Sequence, residues 1–291
     1  MRLYASCICC LLNKQEQNIR KFNDEALKSE YMKELARIVG NSEEDACAPW
    51  LAAEIRKTYQ KYFGGTGGYE KEKKEFNQIL LDVEKDLEQK ILNSEDPLRT
   101  ALLYARVGNY IDFSALECVD KEELFDLFDR ENDILDEDEY RNFCREMQQA
   151  KKMVYVLDNC GEIVLDKLVI RLLKKQYPQV EITAVVRGEE VMNDATMEDA
   201  VMTGLTEETL VIGNGDNVAG TIFSRISPEL RQKIEEADLL LAKGQGNFES
   251  MYGCGKNVYY LFLCKCDWFI KKFQAERLQG MFVNEKRVKF I

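Results

Sequence analysis

Residues 153–162 read MVYVLDNCGE. Five apolar residues, Met153 to Leu157, run without a break into Asp158 and Asn159. A short continuous apolar run, β-branched in part, predicts a strand buried on both faces. Gly161 follows, and residues 163–175 form an amphipathic stretch. A strand that ends in an acid and an amide, turns at a glycine and starts a helix is the first βα unit of an open α/β sheet. Ligands of such sheets bind outside the carboxyl ends of the strands, where the chain crosses from one face to the other. Asp158 and Asn159 are therefore expected to project oxygens into that crevice.

The alternation continues downstream. Strand-like apolar runs occur at 181–186, 209–212, 238–242 and 257–263, with 282–290 a possible edge strand. Helical stretches fall at 163–175, 197–202 and 227–236, the last opening on Ser227-Pro228, a good N-cap and N1 pair. Strands alternating with helices imply parallel βαβ units. The expected α/β domain, 152–291, is a three-layer Rossmann-like sandwich with a mostly parallel sheet. Residues 1–151 read as an all-helical subdomain, with helices at 13–34, 51–63, 75–91, 94–106, 121–130 and 136–151. The glycine-rich stretch 64–68 is a turn between two of them.

The chain has 291 residues, 45% hydrophobic and 32% charged, which suits a globular protein with a substantial core. Its net charge of −12 and the lack of a basic patch argue against a nucleic-acid partner. No apolar run approaches the ~20 residues needed to span a bilayer. The first residues, MRLYASCICCLLN, are too short and too cysteine-rich for a secretory signal, so a cytoplasmic location is expected. The ten cysteines are then mostly reduced and buried. There is no histidine. Ser-His-Asp hydrolases, Cys-His proteases and histidine-rich zinc hydrolases are thereby excluded, and catalysis falls to carboxylates, lysine, thiolates or a metal held by oxygens and sulfurs.

Each strand end carries polar residues. The first gives Asp158, Asn159, Gly161 and Glu162; the second runs through Arg187 to Asn193, Asp194 and Thr196. The third gives residues 213–217, GNGDN, and the fourth residues 243–247, KGQGN, from Lys243 to Asn247. Glycines in such loops let backbone N–H groups approach a ligand closely, as phosphate cradles require. Two carboxylates and an amide oxygen suit a divalent cation such as Mg²⁺ or Mn²⁺. Lys243 would offset the charge of a transferring phosphoryl group. Taken singly, Asp158 could cap its own helix, Asn193-Asp194 could be an N-cap and the glycines a tight turn; agreement across four strand ends favours one site. Glu162 and Arg187 join as substrate-binding candidates, although a supporting charge is the plainer reading of each.

These residues also carry a resemblance. Segments 158–162, 193–199, 213–220 and 243–249 resemble the family named for domain of unknown function 89, the damage-control or ARMT-like phosphatases. In the helical half, Gly108-Asn109-Tyr110-Ile111-Asp112-Phe113 resembles that family's Gly-Asn-x-Ile-Asp signature. Residues 7–10, CICC, resemble the Cys-x-x-Cys start of its prokaryotic branch, and Lys265-Cys266 a Lys-Cys pair near that branch's end. The resemblance runs in order along nearly the whole chain. It implies a metal-dependent phosphomonoesterase for small phosphorylated metabolites, sugar phosphates first, using Mn²⁺, Co²⁺, Ni²⁺ or Mg²⁺. It places the metal on Asp158, Asn159 and Asp194 and the phosphate on Lys243. It sets Asn109 and Asp112 near the substrate, where the two halves meet.

Without histidine, water activated by the cation and assisted by a carboxylate is the favoured nucleophile, with Asp158 itself the alternative. Cys7, Cys10 and Cys266 could meet as a second metal site or a redox pair, although spacing gives only one Cys-x-x-Cys pair and buried reduced thiols are the plainer reading. Cys160 is expected to pack. Two rivals stand beside the phosphatase: an S-adenosylmethionine-dependent carboxyl methyltransferase, and a non-catalytic metal or redox sensor built on the cysteines. Sequence leaves the oligomeric state open.

Overall fold

A computed structural model describes residues 1–65, 68–111, 128 and 135–289. Asp112, the expected helix at 121–130 apart from Phe128, and the centre of the glycine-rich turn lie outside the described residues.

The described N-terminal helices are Ala5–Ile19, Glu25–Gly40, Ala48–Phe63, Glu70–Leu92, Pro97–Gly108 and Glu137–Gln149. The single helix expected at 13–34 is two. Asp24 interrupts it by taking an N-cap role, its carboxylate accepting from the Leu27 amide at 2.9 Å. Asp96 and Asp136 cap two later helices in the same way.

From Lys152 onward strands and helices alternate. The strands are β1 (Lys152–Val156), β2 (Glu181–Val186), β3 (Leu210–Gly213), β4 (Leu239–Lys243), β5 (Val258–Leu263) and β6 (Gly280–Asn284). Their order is β3-β2-β1-β4-β5-β6, parallel throughout except for antiparallel β6. The edge strand lies earlier than the expected 282–290, because the chain turns at Asn284, whose carbonyl accepts from the Arg287 amide.

β1 is buried on both faces, as an unbroken apolar run requires. Met153, Tyr155 and Leu157 enter one core, shared with the helices Glu70–Leu92, Pro97–Gly108, Glu137–Gln149 and Glu162–Gln176. Val154 and Val156 enter the other, under Pro228–Glu236, Gly244–Met251 and Asp267–Phe273. Each such aliphatic side chain contributes roughly 1.5–3 kcal/mol by leaving water. The result is helix, sheet, helix. The first three helices keep a small core of their own around Tyr31, Leu35, Leu51 and Ile55. Among the described residues no helix is long and apolar enough to cross a membrane.

The chain runs outward from β1 to β3, then returns to lay β4 on the other side of β1. The carboxyl ends of β1 and β4 therefore flank the switch point, where open α/β sheets hold ligands.

Candidate metal and phosphate site

At the switch point two loops are zipped together. Asn159 and Asp194 form an isolated antiparallel bridge, with the Cys160 amide donating to Asn193 O at 2.8 Å and the Ala195 amide to Asp158 O at 2.7 Å. Met192, just before, holds a positive φ of 48°, a strained conformation for a side chain of its kind. The loop after β2 is thus folded back beside the end of β1. Asp158, Asn159 and Asp194 are brought together, all buried.

Arg187 ties them. Its Nη2 donates to Asp158 Oδ1 at 3.1 Å and its Nε to Asp194 Oδ2 at 2.6 Å. Its Nη1 reaches Gly220 O and Asn247 Oδ1, each at 3.1 Å. One guanidinium therefore spans both carboxylates and anchors them to the loop after β3 and the helix after β4. Asn247 is fixed in turn through Leu157 O and Lys243 O. Asn109 donates to Asp158 Oδ2 at 3.0 Å and Glu162 Oε2 at 3.2 Å, joining the helical half to the site. Asn193 donates to Asn159 Oδ1 and to Ile111 O.

Helix capping does not describe Asp158 or Asn193-Asp194. Asp158 faces Arg187 and two amides rather than the amides of the following helix, whose N-cap position is Gly161. The helix Met197–Met202 is capped by Thr196 in a capping box with Asp199, not by Asn193 or Asp194.

Lys243 lies beneath the crevice rather than in it. Its ammonium has three N–H donors, and its three acceptors are Glu162 Oε1 at 2.7 Å, Asp166 Oδ1 at 2.7 Å and Ala105 O at 2.9 Å. Lys243 is wholly buried; burial works against its charge, but Asp166 and Glu162 outweigh it and raise its pKa. Asp166 feels burial most strongly and is pushed up to about 6, against the pull of Lys243. Glu162 passes this network to the site by accepting from the Asn159 side chain at 3.0 Å.

The expected glycine loop KGQGN proves to be a helix start: Gly244–Met251 is helical, with Lys243 at its N-cap position. Gly244 has a φ of +78°, and a Cβ there would lie 1.9 Å from Asp158 Oδ2. The glycine makes room for the carboxylate, not for a phosphate loop.

Cys160 is buried in the core and its thiol is pushed up by burial. Cys7 and Cys266 lie within electrostatic reach of each other, whereas Cys10 is exposed. Among the described residues no three His, Cys, Asp or Glu side chains group to hold a metal, and the nine described cysteines are free. The set at the switch point is of a different kind. Two carboxylates and a carboxamide are hard oxygen donors, too few to close a shell. They suit a cation that keeps positions for water and substrate.

Sequence reasoning missed Lys73, Asn77 and Asp166. Lys73 pairs with Asp199 at 2.8 Å, and Asn77 joins Asp199 to the Gly161 amide. Asp166 had a visible signal: it stands four residues after Glu162, with only apolar residues between them, on the same helical face. The other two had none, each being one polar residue on an amphipathic helix.

Fold and site together define a class: an open α/β protein of Rossmann type whose switch point holds oxygen donors instead of a glycine-rich nucleotide loop. The chain belongs to the damage-control phosphatase ARMT1-like family, whose model matches residues 3–279. It is 30% identical to a damage-control phosphatase of Archaeoglobus fulgidus, over 92% of this chain and 93% of that one. It is 29% identical to an uncharacterised protein of Methanocaldococcus jannaschii, over 91% and 90%. The crystal structure of a DUF89-family protein from Pyrococcus horikoshii superposes with a TM-score of 0.80, covering 98% of this chain and 99% of the other at 21% identity, a likeness of fold.

Proposed function

We propose that the chain hydrolyses phosphomonoesters of small metabolites, sugar phosphates or related damaged metabolites, with a divalent cation on Asp158, Asn159 and Asp194. Membership of the family makes it a metal-dependent phosphatase. The observation that supports the assignment of residues is the single Arg187 guanidinium bonded to both carboxylates at the switch point. When bound, a cation of this kind polarises a phosphoryl oxygen and acidifies water; Mn²⁺, Co²⁺, Ni²⁺ and Mg²⁺ are the candidates.

The chain's own residues do the rest. Arg187 fixes the spacing of the two carboxylates and limits their mutual repulsion. Asn109 and Glu162 orient Asp158 and Asn159, and Lys243 balances Glu162 and Asp166 from below. Lys243 thus acts through Glu162 as a positioning residue. Residues 1–151 and 152–291 are taken as two units that build the site jointly, and the free thiols agree with a cytoplasmic location.

The methyltransferase reading fits less well. Gly161, in the turn a nucleoside would have to approach, is closed by Ile111 and Phe76, both within 3.3 Å of a Cβ placed there.

The test is a screen of the four metals against p-nitrophenyl phosphate and a panel of sugar phosphates, without S-adenosylmethionine. Phosphate release should require metal, and Asp158→Ala should lower it by on the order of 100-fold or more while circular dichroism is unchanged. Methyl transfer from S-adenosylmethionine, with no metal-dependent phosphate release, would overturn the proposal.

A further inference from the structure

We propose that Arg56, on the helix Ala48–Phe63, is the side chain that grips the substrate phosphate; this rests on the phosphatase reading above. The helix packs against Gly244–Met251, whose first turn backs the Asp158 carboxylate. Leu51 and Ile55 anchor it in the small helical core. Arg56, next in sequence, leans the other way, toward the loop after β3, and donates from Nη2 to Asn217 O at 2.6 Å. It is only partly buried.

Burial works against the charge of Arg56, and the carboxylates of Asp194, Asp216 and Glu189 support it. Asp216 is held by Arg225 at 2.6 Å, and Glu189 is exposed. Asp194 is the one assigned to the metal. Three other basic groups near the crevice are committed. Lys243 is engaged below it, Arg187 is bonded from Nε, Nη1 and Nη2, and buried Lys73 is paired with Asp199. Arg56 is bonded to the same loop after β3 whose Gly220 O accepts from Arg187, the partner of Asp194, and it keeps access to solvent.

A guanidinium has five N–H donors in a planar fork that matches phosphate oxygens. A cation on Asp194 and the charge on Arg56 would repel each other across the crevice mouth. A phosphoryl group between them relieves that repulsion and binds to both. The helical half thus supplies the anion clamp, and the sheet supplies the metal.

The test uses the full chain loaded with Mn²⁺ and titrated with inorganic phosphate by calorimetry, alongside p-nitrophenyl phosphate kinetics. Arg56→Gln should weaken phosphate binding by about 10-fold or more, the scale of a lost charge-assisted bond. KM should rise in parallel and kcat should change less. Arg56→Lys should recover part of the loss, and Mn²⁺ affinity should fall in neither variant. Unchanged phosphate affinity in folded Arg56→Gln would overturn the assignment while leaving the phosphatase reading intact. Conversely, a wild type that binds phosphate through Arg56 but shows no turnover would overturn the phosphatase reading alone.

Discussion

Gly244 is the residue at which the site tolerates least change. Any side chain there meets the Asp158 carboxylate, and the positive φ adds backbone strain. Gly244→Ala should cost about 1–3 kcal/mol of stability and displace Asp158 from Arg187. Urea unfolding and metal-dependent turnover measured together check this; a variant with wild-type turnover would show that Asp158 need not stay where it is. At this scale the legible residues were those at strand ends. Asp158 and Asn159 could be placed at the crevice because polar residues directly after an apolar run have one place to go; Asp194 lies well beyond the end of β2, and its place beside them comes from the Asn159–Asp194 bridge. The depth of Lys243 could not. Sequence placed it at the fourth strand end, but its burial comes from Glu162, Asp166 and Ala105 O, contributed by two other elements.

Among elements, the helix Glu70–Leu92 stands out because it reaches both site loops. Asn77 accepts from the Gly161 amide at 2.6 Å and donates to Asp199, which also caps Met197–Met202 and pairs with Lys73. Lys73→Met would leave Asp199 buried without its cation, a loss of about 3–5 kcal/mol. A fall of that size in the free energy of unfolding, with weaker metal binding, is the expected outcome; a change below about 1 kcal/mol, the scale of an exposed pair, would mean that Asp199 is adequately satisfied by Thr196 and Asn77. The strands were legible because buried apolar runs leave little ambiguity once glycine and polar residues bound them. The helix Gly244–Met251 was hidden by its own glycines, which lower helix propensity and mimic a turn. The break at Asp24 was hidden because apolar spacing continues across it.

For the whole molecule, the β3-β2-β1-β4-β5-β6 order matters most. It sets the ends of β1 and β4 side by side, and no single segment of sequence states that adjacency. Alternation of strands and helices implied a parallel sheet, and with it a crevice at the strand ends. How the helical half leans on the sheet was not legible, since it depends on a shared core from Phe76 to Phe282. Because a metal at the switch point would bind the folded chain and not the unfolded one, its affinity is linked to the stability of the whole.

The most direct measurement is a calorimetric titration of Mn²⁺ into the wild type, Asp158→Asn and Asp194→Asn, each first stripped with chelator. The wild type should take up metal at this site, and both variants should lose at least about 10-fold in affinity while unfolding cooperatively. Equal affinity in all three folded proteins would contradict the metal site on Asp158, Asn159 and Asp194.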